Sequence, residues 1–186
     1  VKPLLLLDPG HGGHKPGAIG FYEDVKVMEK EVNLNIALYT RRYIQQNADD
    51  QIITCMTRKD DTHKSLTDRA KRQLMLDCDL FVSIHCNAYD EVDDTVRGVS
   101  GIETYYYWED AKLFANDVHQ NIVKAFPDHL NRGVKKMGFK VIRDGVPEAV
   151  LIECEFIDEM PEWLNKESVQ RQYGYLIGAS IMGYLL

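Results

Sequence analysis

Leu4-Leu5-Leu6-Leu7-Asp8-Pro9-Gly10-His11 opens the chain with an apolar run that ends in a carboxylate, a proline, a glycine and a histidine. A strand that is apolar at every position, not every second one, is buried on both faces, as in a parallel sheet covered by helices. Leu80 to Ile84, followed by His85-Cys86-Asn87, repeats the pattern, as does Ala149 to Ile152, followed by Glu153-Cys154-Glu155. Ile52 to Thr57 and Ile102 to Tyr107 read as further strands, and Phe139 to Ile142 as another short one. Between them, apolar residues recur at helical spacing: Val32, Ile36, Tyr39 and Tyr43 within Met28 to Gln46, then Leu66, Ala70 and Leu74, then Ala111 to Phe126. Ser65-Leu66-Thr67-Asp68 resembles a capping box at the start of the second helix. A last helix runs from Val169 to Tyr184. Strands alternating with helices predict an α/β fold, a largely parallel sheet with helices on both faces.

The chain has 186 residues, enough for one domain with a sizeable core. With 22 basic against 29 acidic side chains it carries a formal charge of -7, the wrong sign for a general binder of nucleic-acid backbones. No apolar run approaches the roughly 18 residues that suggest a membrane span. The four cysteines, at 55, 78, 86 and 154, form no CxxC pair and read as small buried hydrophobes. Tyr89 to Gly101 is acidic and poor in apolar residues, which predicts an exposed loop.

In open α/β sheets, ligands bind beyond the carboxyl ends of the strands. The three apolar runs deliver His11, His85 and Glu153 to that edge. Two histidines and a carboxylate converging there suggest a catalytic metal site, which takes about three protein ligands and leaves one position for water. His11 and His85 supply two; Glu29 or Glu31 at the start of the first helix, or Glu153, could supply the third. A carboxylate left off the metal could act as general base. His14 is a weaker candidate, because its HxxH spacing with His11 falls in a Gly-rich loop and fixes no shared face. His63, His119 and His129 read as ordinary surface residues. Gly10 to Gly17 fits neither phosphate-loop pattern, and a thiol nucleophile at Cys86 or Cys154 lacks a group to lower its pKa.

Five segments, in order, resemble the zinc-dependent N-acetylmuramoyl-L-alanine amidases of the type-3 family. They are Leu6 to Gly13, Glu29-Lys30-Glu31-Val32-Asn33-Leu34, Thr57-Arg58 with Asp61 and Leu66 to Arg69, Phe81 to Ala88, and Arg132 to Lys135 followed by Ala149 to Glu153. The resemblance covers nearly the whole chain, residues 1–186, as one catalytic domain. It implies a twisted, mostly parallel sheet of about six strands flanked by helices. It implies that His11, Glu29 and His85 bind zinc and that Glu153 is the catalytic carboxylate; Asp8, Asn87 or nearby backbone groups are candidates to orient the histidines. The implied reaction is hydrolysis of the amide between N-acetylmuramic acid and L-alanine of the peptidoglycan stem peptide by zinc-activated water. A zinc carboxypeptidase, with Arg143 or Arg69 holding a terminal carboxylate, and a non-catalytic wall-binding module are the rival readings. Action at the cell wall follows, outside the membrane, or after release from a cytoplasm if the chain is a phage endolysin. A charge of -7 leaves room for a separate wall-binding domain. Glu155, where the family usually has a small residue, departs from the pattern, and as a near neighbour could raise the Glu153 pKa or point away into solvent.

Overall fold

A computed structural model of the chain describes residues 1–89 and 99–186. The elements run β1 (Leu4–Pro9), β2 (Ile19–Tyr22), β3 (Val25–Met28), α1 (Glu29–Asn47), β4 (Ile53–Met56), α2 (Leu66–Leu76), β5 (Leu80–Asn87), β6 (Ile102–Tyr106), α3 (Lys112–Ala125), β7 (Asn131–Lys136), α4 (Lys140–Arg143), β8 (Ala149–Phe156), α5 (Pro161–Leu164) and α6 (Glu167–Leu185). Six strands form one sheet in the order β4-β1-β5-β8-β6-β7, and β2 and β3 form a separate hairpin. Every neighbouring pair in the large sheet is parallel except β6 with β8. The α/β architecture with a mostly parallel six-stranded sheet is therefore as expected.

The apolar runs are buried on both faces, and strand alternation sorts them. Leu5, Leu7, Val82, Ile84, Val150 and Ile152 point into a large core beneath α1, α3 and α6. Leu6, Phe81, Tyr105 and Leu151 point the other way, into a smaller core beneath α2 and α4. One face thus carries three long helices, and the other one helix of three turns and one of a single turn. Asp8, Ser83, His85, Glu103 and Glu153 share the parity of the thinly covered face.

α2 starts as expected, with the Ser65 hydroxyl accepting from the Asp68 N–H at 3.1 Å. α1 has no side-chain cap. Its first two N–H groups donate to Ala18 and Pro16 carbonyls, at 3.0 and 2.9 Å, so the Gly-rich loop itself ends the helix. Those two bonds fix where the first turn, with Glu29, meets the loop.

Several expectations need correcting. Phe139 to Ile142 is not a strand; residues 140–143 form α4, whose Asp144 N–H returns to the Lys140 carbonyl at 3.1 Å. A four-residue apolar run carries too little periodicity to separate the two. Gln73, fully buried on α2, holds that turn by donating to the Val141 carbonyl at 2.8 Å and accepting from the Val146 N–H at 3.1 Å. β7 was hidden because Asn131 to Lys136 is polar; as an edge strand it pairs only with β6. The β2–β3 hairpin, turning at Glu23 and Asp24, occupies a stretch that otherwise reads as loop. The loop expected from Tyr89 to Gly101 lies mostly outside the described residues.

Nor is His119 on the surface. It is fully buried and lies between Thr104 Oγ1 (3.2 Å) and Asn131 Oδ1 (2.8 Å), bridging β6 to β7. His129 is largely buried as well, stacked on Trp163 and 2.7 Å from Glu155. Glu155 is fully buried and accepts N–H bonds from Gly101 and Phe156, having turned away from Glu153 through the register shift between His85 and Asn87. Removing one partner of a buried pair strands the other. Glu155→Ala, which leaves the Gly101 N–H and His129 without their acceptor, should lower unfolding free energy by about 1–3 kcal/mol in urea titrations, and Glu155→Gln, which keeps an acceptor for both N–H groups, should lose less.

Candidate metal centre

His11 follows β1, Glu29 opens α1 and His85 lies near the end of β5. Their ligand atoms all fall within 4.8 Å of one another. Glu29 is the hub: its Oε2 lies 3.0 Å from His11 Nε2, and its Oε1 lies 3.0 Å from His85 Nδ1. It also accepts from the Ala18 N–H at 2.9 Å, from Asn33 Nδ2 at 3.0 Å and from the Cys86 N–H at 3.2 Å. Burial works to raise this carboxyl's pKa, but the hydrogen bonds and charges of His11 and His85 outweigh it and hold the group far below the usual carboxylate range. A buried anion facing two imidazole nitrogens is a donor set that suits a divalent cation such as zinc. Glu31, the neighbouring candidate, is exposed on α1 and stands outside the cluster. His14 stacks loosely on His63 at a 4.4 Å centroid distance and is also outside it.

The loop can pass this close only because of two glycines. A Cβ on Gly10 would lie 2.2 Å from the His85 ring. At Gly17, with φ +72°, it would lie 2.3 Å from Glu29 Oε2. His11 itself sits in the left-handed region at φ 60°, a strained conformation for a non-glycine residue that something must hold.

What holds it is a buried polar network. Asp8, fully buried, pairs with Arg69 and accepts from Thr57 Oγ1 at 2.5 Å and Ser83 Oγ at 2.8 Å. Arg69 also donates to the Pro9 carbonyl at 2.8 Å and the His11 carbonyl at 2.6 Å. Arg58 donates to the carbonyls of Pro9, Gly10 and Lys30, at 3.0, 2.8 and 2.7 Å. Lys30 bonds the Gly13 carbonyl at 3.1 Å and Asp61 at 2.6 Å, while Asp61 accepts from the Gly13 N–H at 2.8 Å. Asp8 therefore acts on the His11 segment through Arg69 and touches neither histidine ring. Asn87 likewise turns to Glu103, at 2.6 Å.

Glu153 stands beside His85 in the β5–β8 register. Its Oε2 is buried without a hydrogen-bond partner among the described residues. Burial, then the negative charge of Glu29, with Glu103 contributing, push its pKa well above the ordinary carboxylate value. Glu103, on β6, is a carboxylate that sequence reading missed; it pairs with Glu153 across the strands. Burial raises its carboxyl, but Lys135, Tyr105 and Arg132 outweigh that and keep it ionised. Only knowledge that β6 and β8 are neighbours could have revealed it. Cys86 and Cys154 are buried free thiols, and burial pushes Cys86 well above its ordinary value, so it cannot serve as a thiolate at neutral pH.

Two outcomes follow. Gly10→Ala should bind zinc at least tenfold more weakly in competition with a chelating dye, because the added methyl displaces His85. Glu153→Gln should raise the melting temperature of the metal-free protein. The pKa of this acid is raised in the folded state, so its penalty is absent below about pH 4, where both states are protonated, and grows as pH rises through the ordinary carboxylate value of about 4.3. The gain should therefore be larger at pH 7 than at pH 4, on the order of 1 kcal/mol for an orphaned acceptor.

Residues 5–182 match the family model described as N-acetylmuramoyl-L-alanine amidase, Amidase_3. The chain is 32% identical over 161 residues to a sporulation-specific N-acetylmuramoyl-L-alanine amidase of Bacillus subtilis, covering 85% of this chain and 58% of that protein. It is 31% identical over 185 residues to an endolysin of Bacillus phage SPP1, covering 90% of this chain and 60% of the endolysin. The chain thus spans somewhat over half the length of these curated relatives. Among solved structures, AmiC2 of Nostoc punctiforme superposes with a TM-score of 0.88 at 29% identity, covering 100% of this chain and 98% of that one. The catalytic domain of CwlV from Bacillus (Paenibacillus) polymyxa var. colistinus gives 0.88 at 31% identity, with 98% of both chains covered. With its sheet order, its His-Glu-His cluster and a family match over nearly its whole length, the chain belongs to the Amidase_3 family of N-acetylmuramoyl-L-alanine amidases.

Proposed function

We propose that this chain hydrolyses the amide joining the lactyl group of N-acetylmuramic acid to L-alanine of the stem peptide in peptidoglycan. His11, Glu29 and His85 would hold zinc, and Glu153 would carry the proton. The observation that carries the reading is the pairing of a three-residue His-Glu-His cluster with a second carboxylate, Glu153, beside His85, whose Oε2 is buried without a hydrogen-bond partner among the described residues. Zinc, when bound, supplies the positive charge that polarises a carbonyl and acidifies water. Glu153 accepts a proton as water adds to the scissile carbonyl carbon, and returns it to the departing nitrogen as the C–N bond breaks. The products are a free carboxyl on the lactyl group and a free amine on L-alanine. Burial, the charge of Glu29 and, less, that of Glu103 favour the protonated form of Glu153, and a cation held by His11, Glu29 and His85 would offset the Glu29 charge.

The carboxypeptidase reading needs a free cation for a terminal carboxylate. Arg69 is 2% exposed and committed to Asp8 and three backbone carbonyls. Arg143 is paired with Asp144. Neither is available. A wall-binding module without activity would gain nothing from an unpartnered carboxylate. The place of action is the cell wall, in keeping with the wall amidases and the endolysin that the chain is similar to. Among the described residues, no helix is long and apolar enough to cross a membrane.

Digestion of purified peptidoglycan, read by mass spectrometry, tests the reading. Stem peptides beginning at L-alanine should appear, vanish with a zinc chelator and return on adding zinc. Glu153→Gln should lower the rate by about 10²–10⁴-fold, the usual worth of a positioned acid–base group, while retaining zinc. Loss of only a terminal residue would turn the assignment to a carboxypeptidase.

A further inference from the structure

The protein holds the two oxygens of Glu29 unequally. A carboxylate offers about four acceptor sites, two on each oxygen. Oε1 takes two donors from the surrounding frame, Asn33 Nδ2 at 3.0 Å and the Cys86 N–H at 3.2 Å. Oε2 takes one, the Ala18 N–H at 2.9 Å. The histidines divide evenly, His11 Nε2 beside Oε2 and His85 Nδ1 beside Oε1, each at 3.0 Å. The frame thus fills both acceptor sites of Oε1 and leaves one on Oε2. The Cys86 amide is fixed by β5, and the Ala18 segment by the bond from the Glu29 N–H to the Ala18 carbonyl. Of the three frame donors, Asn33 supplies the one side chain.

Asn33 lies four residues after Glu29 on α1, the spacing at which side chains of a helix meet. It is fully buried. Its amide can face the carboxylate only through nitrogen, since the reverse orientation would set two acceptors, Asn33 Oδ1 and Glu29 Oε1, against each other. Oδ1 is then left buried with no hydrogen-bond partner among the described residues. Packing does not account for such a residue. An apolar side chain at a buried helix position fills space without an orphaned acceptor, and asparagine is a poor helix former. What Asn33 adds at this position is its bond to Glu29.

We propose that Asn33 is a positioning residue of the metal centre: by filling Oε1 together with the Cys86 N–H, it makes Glu29 offer zinc one oxygen, Oε2, and not two. This rests on the reading of His11, Glu29 and His85 as the zinc ligands, and adds how the remaining position stays free. Two imidazole nitrogens and one carboxylate oxygen make three ligands, and a tetrahedral ion keeps its fourth position open. A carboxylate closing on the ion with both oxygens would take that position.

The test reads the coordination sphere and needs no turnover. X-ray absorption of the zinc-loaded wild type should count four nitrogen or oxygen ligands at about 2.0–2.1 Å. Five or more would overturn the proposal. With cobalt(II) in place of zinc, the wild type should show the strong visible absorption of a four-coordinate ion. Asn33→Leu, close in shape but without the donor, should lose that intensity several-fold as the second Glu29 oxygen joins the ion. Asn33→Ala should give the same loss and serves if the leucine variant fails to fold. Thr40→Val is the control: Thr40 is as deeply buried on the same helix, bonds only the Ile36 carbonyl at 2.9 Å and stands outside the cluster. Its cobalt spectrum should match the wild type. Unchanged spectra in the Asn33 variants would overturn the proposal, as would an equal loss in the control, which would trace the effect to a loosened α1. Failure of the wild type to take up either ion would end the zinc reading itself, whereas uptake with the same coordination in wild type and variants removes only the role of Asn33.

Discussion

The buried pair between Asp8 and Arg69 is the constraint on which the site depends. Both groups are almost wholly withdrawn from water, and such a pair contributes little net stability once desolvation is counted. Its value is positional. Arg69 arrives on a helix from the far side of the loop and uses its remaining N–H groups on the Pro9 and His11 carbonyls. Thr57 and Ser83, from the strands on either side of β1, complete the carboxylate's acceptor sites. A left-handed His11 followed by glycines would otherwise sample many conformations. The cost of burying the charges is offset by backbone carbonyls that have no regular partner in the loop.

This network also accounts for why one stretch of sequence, Thr57 to Arg69, carries no ligand yet reads as part of the motif set. Thr57, Arg58, Asp61 and Arg69 each bind the β1–α1 loop or the residue that anchors it. Lys30, between Glu29 and Glu31, ties the first turn of α1 to the same loop through Asp61 and Gly13. The three candidate ligands come from elements distant in sequence, and this frame brings them together.

The legible parts of the sequence were those where burial acts on contiguous residues. β1, β5 and β8 are apolar at nearly every position because both faces are covered, and the polar residues that end them mark the reactive edge without any knowledge of strand order. What stayed hidden required pairing information. Asn131 to Lys136 is a strand only because β6 offers it an edge, and nothing in its polar composition announces that. His119 reads as a surface histidine until Thr104 and Asn131 are known to flank it. Phe139 to Ile142 is helical because Gln73, more than sixty residues earlier, takes up a carbonyl and an amide there. Glu155 looks like a neighbour of Glu153, yet a register shift sends it into the opposite layer to meet His129. Long-range hydrogen bonds decided each of these cases, and local propensity was too weak to compete.

Three glutamates at one sheet edge show how the surroundings, not the residue type, assign chemistry. Glu29 receives hydrogen bonds from two imidazoles, two backbone amides and an asparagine, so its charge is held. Glu103 is just as buried but faces Lys135 and Arg132, so its charge is held too. Glu153 lies between these two anions, with one oxygen unbonded, and is the member of the set whose proton is most readily retained. Two fixed negative charges bracketing a third are unfavourable in a site with no cation. A divalent ion held by His11, Glu29 and His85 would offset much of that repulsion and lower the cost of ionising Glu153.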